Sequence, residues 1–217
     1  MDEERLKHWH PLFMRALEIL DEAQRATPRP LTWSFGGGTA LMLRYRHRYS
    51  HDVDIFVSDP QWLGYLSPHA NSAADDRCEQ DLRGAGFLKL TYAEGEIDFV
   101  ATGWLTDEST RMEMHFGRKV AVETEAEIIG KKVFHRGETF KTRDLYDLAT
   151  VLELSPASLK PISPLLREKA PGILARMTAN RVVMQREFDA LEIYHAERSF
   201  DRCLEIVERT TIDGNLR

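Results

Sequence analysis

The 217-residue sequence holds only two cysteines, Cys78 and Cys203, far apart and outside any CxxC spacing. That excludes a disulfide framework and a zinc knuckle and leaves two small thiols. No apolar run approaches the roughly 20 residues that a helical membrane span needs, and the opening MDEERLKHWH lacks the apolar stretch of a signal peptide. A cytoplasmic location without membrane contact is the expectation. Excess positive charge is missing too. The formal net charge of −6 argues against charge-driven binding of nucleic acid over the whole surface, while allowing a local basic groove. There is no internal repeat and no low-complexity segment. What remains, 42% hydrophobic and 29% charged residues, suits a globular chain of one large or two small domains.

The chemistry-bearing residues gather in SFGGGTALMLRYRHRYSHDVDIFV, residues 34–57. Leu31 to Phe35 is a short β-favouring run, and Gly36, Gly37 and Gly38 then allow a sharp turn that brings bare N–H groups close to an anion. Thr39 adds a hydroxyl at the start of the helical stretch Ala40 to Tyr45, whose N-terminal dipole end also favours negative charge. In the following strand, period-two alternation sets Asp52 and Asp54 on one face and Val53 and Ile55 on the other. Two carboxylates about 7 Å apart along one strand face can share divalent ions. A second strand, Glu96 to Ala101, repeats the device, with Glu96 and Asp98 opposite Ile97 and Phe99.

A glycine turn followed at this distance by an Asp-x-Asp strand resembles the nucleotidyltransferase superfamily, and the words GGGTAL and HRYSHDVDIF resemble the AbiEii/AbiGii toxin family within it. The later segment EIIGKKVFHRGETFKTRDLYDLATVL is similar to that family's lysine-bearing helix and Arg-Asp-x-x-Asp helix, here Lys131 or Lys132, then Arg143, Asp144 and Asp147. The resemblance implies a mixed α/β (α+β) fold, a mixed sheet flanked by helices, with a C-terminal helical domain. It also implies transfer of a nucleoside monophosphate from an NTP to an acceptor hydroxyl, with release of pyrophosphate. Asp52 and Asp54 would bridge two Mg²⁺ ions, and Asp98, with Glu96 as the fallback, would be the third carboxylate and general base. Gly37, Gly38 and Thr39 would cradle the triphosphate. Arg48 and Ser50 match the family's Arg-x-Ser-x-Asp-x-Asp wording and would hold the outgoing pyrophosphate. Of the two lysines, 100° apart on a helix, Lys132 is preferred for the triphosphate, while Asp147 either orients it, contacts base or sugar, or forms a helix-helix salt bridge. A possible protein antitoxin and an RNA acceptor, the 3′ end of tRNA among them, are the implied partners. Transfer to a small aminoglycoside-like antibiotic and non-catalytic NTP-binding regulation are the alternatives.

Elsewhere the pattern sets elements around this site. Leu6, Trp9, Phe13, Ala16, Leu17 and Leu20 recur at helical spacing over the first 25 residues. Ser58 to Ala74 reads as an irregular loop, Asp76 to Gly84 as a short helix, and Phe87 to Tyr92 and Arg118 to Val122 as strands. Thr124 and Glu127 suit a capping box opening a helix to about Arg136. Arg44 and Arg46 read as a solvated helix face. Short helices are expected at Leu165 to Lys169, Pro171 to Thr178, Val182 to Tyr194 and Phe200 to Arg209. The expected division is a nucleotidyltransferase domain over 1–122 and a helical domain over 123–217.

Overall fold

The computed structural model describes residues 4, 7–194 and 198–211. Two compact units are present: the first joins Met1–Leu43, Ser50–Gly103 and Thr110–Glu123, the second Arg44–Tyr49, Trp104–Ser109 and Thr124–Arg217.

The first unit is built on helix α1 (His10–Arg25) and a seven-stranded sheet. Pro11 opens α1, where its missing N–H costs nothing, and Leu12, Phe13, Ala16, Leu17, Ile19, Leu20 and Ala23 form its buried stripe. Leu6, part of the expected helical pattern, lies outside the described residues. The strands are β1 (Trp33–Gly36), β2 (Val53–Val57), β3 (Gln80–Arg83), β4 (Phe87–Tyr92), β5 (Gly95–Ala101), β6 (Thr110–His115) and β7 (Arg118–Glu123). Their order is β3-β4-β5-β2-β1-β7-β6, with β1 parallel to β7, β2 parallel to β5, and the other neighbours antiparallel. Alternation divides the sheet into two faces. Val53, Ile55, Val57, Ile97 and Phe99 are buried on one, where α1 packs, and Asp54 and Asp98 lie on the other. Phe35 stacks on Trp9 at 5.5 Å and meets Phe13 at 4.8 Å.

Three readings of this unit change. Residues 76–84 are not a helix: Gln80–Arg83 is edge strand β3, exposed on both faces and therefore without the apolar alternation that marks a strand. Strand β6, TRMEMH, went unread for a similar reason, and its hairpin to β7 turns at Phe116 (φ 52°) and Gly117 (φ 74°), a left-handed pair usually announced by Asn-Gly. The 58–74 stretch contains the short helices α3 (Trp62–Tyr65) and α4 (Ser72–Asp75). Buried Asn71 ties it down by donating to Ile19 O at 2.9 Å and Tyr65 O at 3.1 Å, so it is packed scaffold and not an open loop.

Helix α2 (Gly37–Tyr45) begins in the first unit, and its last two residues belong to the second. The second unit is otherwise helical, with α5 (Glu125–Arg136), α6 (Thr142–Leu154), α7 (Ser163–Ala179), α8 (Arg181–Asp189) and α9 (Phe200–Thr211). The two helices expected either side of Pro171 are one, α7, because Leu166, Ala170, Ile173 and Met177 bury a continuous stripe across the proline. Helix α8 stops at Asp189, not Tyr194. Beyond it the chain pairs with the 44–49 segment: Arg48 bridges Ile193, Tyr49 N donates to Glu192 O at 2.8 Å, and Tyr194 N to His47 O at 3.1 Å. Arg44 is not a solvated residue but lies 3.8 Å from Glu125. Among the described residues no helix is long and apolar enough to cross a membrane.

Candidate active site

Strand β1 ends at Gly36 and the chain enters α2 at Gly37 with φ +68°. A Cβ built on Gly37 would lie 1.8 Å from Asp54 Oδ2. The glycine is therefore required twice, by its left-handed backbone and by the carboxylate pressed against it. Thr39 is fully buried and its hydroxyl donates to Asp52 O at 2.5 Å. The hydroxyl expected to meet phosphate thus clamps the glycine turn to the head of β2.

The register of β2 and β5 sets Asp54 opposite Asp98 as direct neighbours. Burial first, and then the charge of Asp54, push the Asp98 pKa up to about 6, with Lys89 pulling it back. Lys89, on β4, stands opposite Asp98. Its ammonium donates to Glu96 Oε2 and lies 3.4 Å from Asp98 Oδ2. Burial works to lower the Lys89 pKa, but the hydrogen bond to Glu96 and the charges of Asp98 and Glu96 outweigh it, and the net direction is upward. Asp52, immediately before β2, accepts from Glu96 N at 3.3 Å through Oδ1. Ser50 N contacts Met42 Sδ at 3.2 Å, which fixes the loop entering the strand.

Asp54, Asp98 and the glycine turn thus meet on one face of the first unit, while Asp52 stands just before β2 with its Oδ1 turned to Glu96 N. Among the described residues, however, no group of three or more His, Cys, Asp or Glu converges well enough to hold an ion by itself. The donor set still fits magnesium, which prefers oxygen and commonly takes one or two carboxylates, leaving its remaining positions to substrate phosphates and water. Two residues were missed. Lys89 carried no signal, because its partners lie on a neighbouring strand. Glu123, at the end of β7, is fully buried, accepts from Ser34 Oγ at 3.0 Å, and would meet a Cβ on Gly36 at 2.4 Å. A glutamate closing the apolar alternation VAVE was its only mark in the sequence.

In the second unit Arg48, Lys132 and Asp147 come together and Lys131 does not join them. Asp147 is fully buried and accepts from Arg48 Nε at 2.7 Å, Arg48 Nη2 at 2.8 Å and His47 Nε2 at 2.8 Å, with Lys132 Nζ 3.1 Å away. Burial works to raise the Asp147 pKa. The charges of Arg48 and Lys132 and the hydrogen bonds from His47 and Arg48 outweigh it and hold the carboxyl well below the usual range. Arg48, expected to hold the pyrophosphate, is buried here with its donors engaged by Asp147 and Tyr49 O. Burial lowers the pKa of His47, so the ring is a neutral donor, stacked on Tyr146 with planes 8° apart. Lys132 also pairs with Asp144 at 2.6 Å.

Lys131 instead pairs with Glu127 at 3.2 Å and lies over the Trp104 ring at 4.9 Å. The expected capping box is half formed. Thr124 Oγ1 accepts from Glu127 N at 3.3 Å, but the Glu127 carboxylate turns away to take Leu105 N, Thr106 N and Thr106 Oγ1 at 2.8–3.1 Å. That clamp explains why the 104–109 segment belongs to the second unit.

A glycine turn pressed on a carboxylate, and a second carboxylate in register beside it, make a face suited to a polyphosphate and its cations. The sequence over residues 19–205 matches the family model for the nucleotidyl transferase AbiEii toxin of type IV toxin–antitoxin systems. The chain belongs to the AbiEii family. It is therefore a nucleotidyltransferase. None of the curated proteins matches the sequence. Of solved structures, JHP933 from Helicobacter pylori is 15% identical, with a TM-score of 0.53 over 98% of this chain and 95% of that one. Another Helicobacter pylori protein, assigned as a nucleotidyltransferase, is 16% identical with a TM-score of 0.53 over 95% and 93% of the two chains. At these identities the likeness establishes the AbiEii chain's fold alone.

Proposed function

We propose that this AbiEii-family chain transfers a nucleoside monophosphate from an NTP to an acceptor hydroxyl, on the face that carries Gly37, Asp54 and Asp98. The observation that carries the reading is the in-register pair Asp54–Asp98 beside a glycine that tolerates no side chain. In the reaction the acceptor oxygen bonds to the α-phosphorus, the bond from that phosphorus to the β-phosphate oxygen breaks, and pyrophosphate leaves. Asp98 takes the hydroxyl proton, a role suited to a carboxylate whose pKa stands at about 6. The backbone of Gly37 and Gly38 receives phosphate oxygens. Asp52, Asp54 and Asp98 would hold magnesium. When bound, two such ions supply neutralisation of the triphosphate charge and acidification of the acceptor hydroxyl.

Family membership supports RNA, including the tRNA 3′ end, as the acceptor and a protein antitoxin as the partner. Residues 1–122 form the transferase domain in this reading and 123–217 the helical domain, acting in the cytoplasm. The test is transfer of label from each of the four α-³²P NTPs, with Mg²⁺, to total bacterial RNA. A labelled RNA band is the expected result. Label appearing on no RNA with any NTP would defeat the RNA reading.

A pH dependence follows. Asp98 serves as ligand and base only when charged, and protons compete with magnesium for it, so at limiting Mg²⁺ kcat/KM for the NTP is expected to fall about tenfold per unit below about pH 6 and to level off above it, with saturating Mg²⁺ moving the fall to lower pH. A profile flat from pH 5 to 8 at limiting Mg²⁺ would contradict this role.

A further inference from the structure

We propose that Lys89 is a resident counter-cation of the carboxylate face, holding Asp98 before a divalent ion arrives and yielding it by withdrawing onto Glu96. The inference rests on the reading that Asp54 and Asp98 receive that ion. Three observations carry it. The β4–β5 register sets Lys89 opposite Asp98, with Glu96 two residues earlier on the same face of β5. The ammonium is held unequally, closely by Glu96 Oε2 and at 3.4 Å by Asp98 Oδ2, so the Asp98 contact is the one easily surrendered. The Lys89 side chain is about a third exposed, at 31%, and its flexible stem can swing without opening the core.

Electrostatics makes this an exchange and not an addition. Asp54 and Asp98, adjacent and of like charge, repel each other, and one ammonium beside Asp98 offsets part of that repulsion. A divalent ion bound directly offsets more, but it and the ammonium repel strongly at contact distance, so both cannot keep Asp98. Glu96 supplies the alternative seat. In this account Glu96 is a positioning residue acting through Lys89 and is not an ion ligand.

The two neutralising substitutions therefore have opposite effects on binding of Mn²⁺ alone, titrated into the full chain at pH 8 and followed by the EPR signal of the free ion. Lys89→Met removes the competitor, and Mn²⁺ should bind about tenfold more tightly. Glu96→Gln leaves Lys89 only Asp98, and Mn²⁺ should bind about tenfold more weakly. In the double variant the Glu96→Gln effect should vanish, giving the Lys89→Met affinity within about twofold, because the coupling runs through one side chain. Lys89→Arg should stay near wild type. Thermal unfolding of each variant confirms that the fold is kept.

Weakening by Glu96→Gln in both backgrounds would make Glu96 an ion ligand and overturn the inference. Equal affinity of wild type and Lys89→Met, with loss in Asp98→Asn, would overturn the role of Lys89 and leave the metal reading standing. Wild-type binding that Asp98→Asn does not alter would remove the metal reading and this inference with it.

Discussion

Asp54→Asn is expected to cut nucleotidyl transfer by about a thousandfold or more while leaving the fold as stable as wild type, or more so. Asparagine has nearly the shape of aspartate, so the space against Gly37, where a Cβ would come within 1.8 Å of Asp54 Oδ2, stays filled. The charge is what disappears. With it goes one of the two in-register carboxylates on which the proposed site depends, and also part of the repulsion that pushes the Asp98 pKa up. Asp98 should then ionise at lower pH in the variant, and folding no longer has to hold two like charges side by side. Activity and stability thus move apart, the pattern expected when a residue is kept for chemistry at some expense to the fold. Transfer assays beside thermal melts decide the matter. A variant that retains activity within tenfold of wild type would place the chemistry elsewhere, and one that melts well below wild type would make Asp54 a structural residue.

How far the sequence could be read depended on the range of the interactions. The glycine turn, α2 and the alternation of β2 and β5 are local patterns, and each was legible within a dozen residues. The choice between Asp98 and Glu96 was not. Both share a face of β5; the family resemblance picked Asp98, and the β2–β5 register sets that residue opposite Asp54. Lys89 illustrates the same limit, because a lysine inside FLKLTY reads as a solvent-facing strand position until β4 is laid against β5. Strands β3 and β6 were hidden because edge strands bury little and lack the apolar rhythm that reveals central ones. Glu127 was misassigned from a correct local signal. The Thr124 cap is present, but tertiary contacts with Leu105 and Thr106 won the carboxylate. Arg48 was read from family wording as a phosphate ligand and Asp147 as either a nucleotide contact or a salt-bridge partner; that the two are buried against each other, 99 residues apart in sequence, no local pattern could show.

That burial gives the largest expected stability effect. Asp147 is the shared anion of Arg48, Lys132 and His47, and Asp147→Ala would leave the buried Arg48 and the partly covered Lys132 without it. Breaking a buried ion pair from one side costs about 3–5 kcal/mol, which for a chain of this size lowers Tm by on the order of 10 °C. Asp144 remains beside Lys132 at 2.6 Å and softens the loss there, so Arg48 bears most of it. The sign with pH follows from the depressed pKa. The carboxylate's contribution is fully present above the unfolded-state value near 4 and is lost only as pH falls through its much lower folded value. The difference in Tm between wild type and Asp147→Ala should therefore hold constant from pH 8 down to about pH 5 and shrink only in stronger acid. The double variant Asp147→Leu/Arg48→Met, which removes the main pair together and replaces it with apolar side chains, should recover much of the lost stability. A single variant that melts within about 2 °C of wild type would show that the cluster contributes little to the fold, and would return Arg48 and Asp147 to the list of residues held ready for the nucleotide.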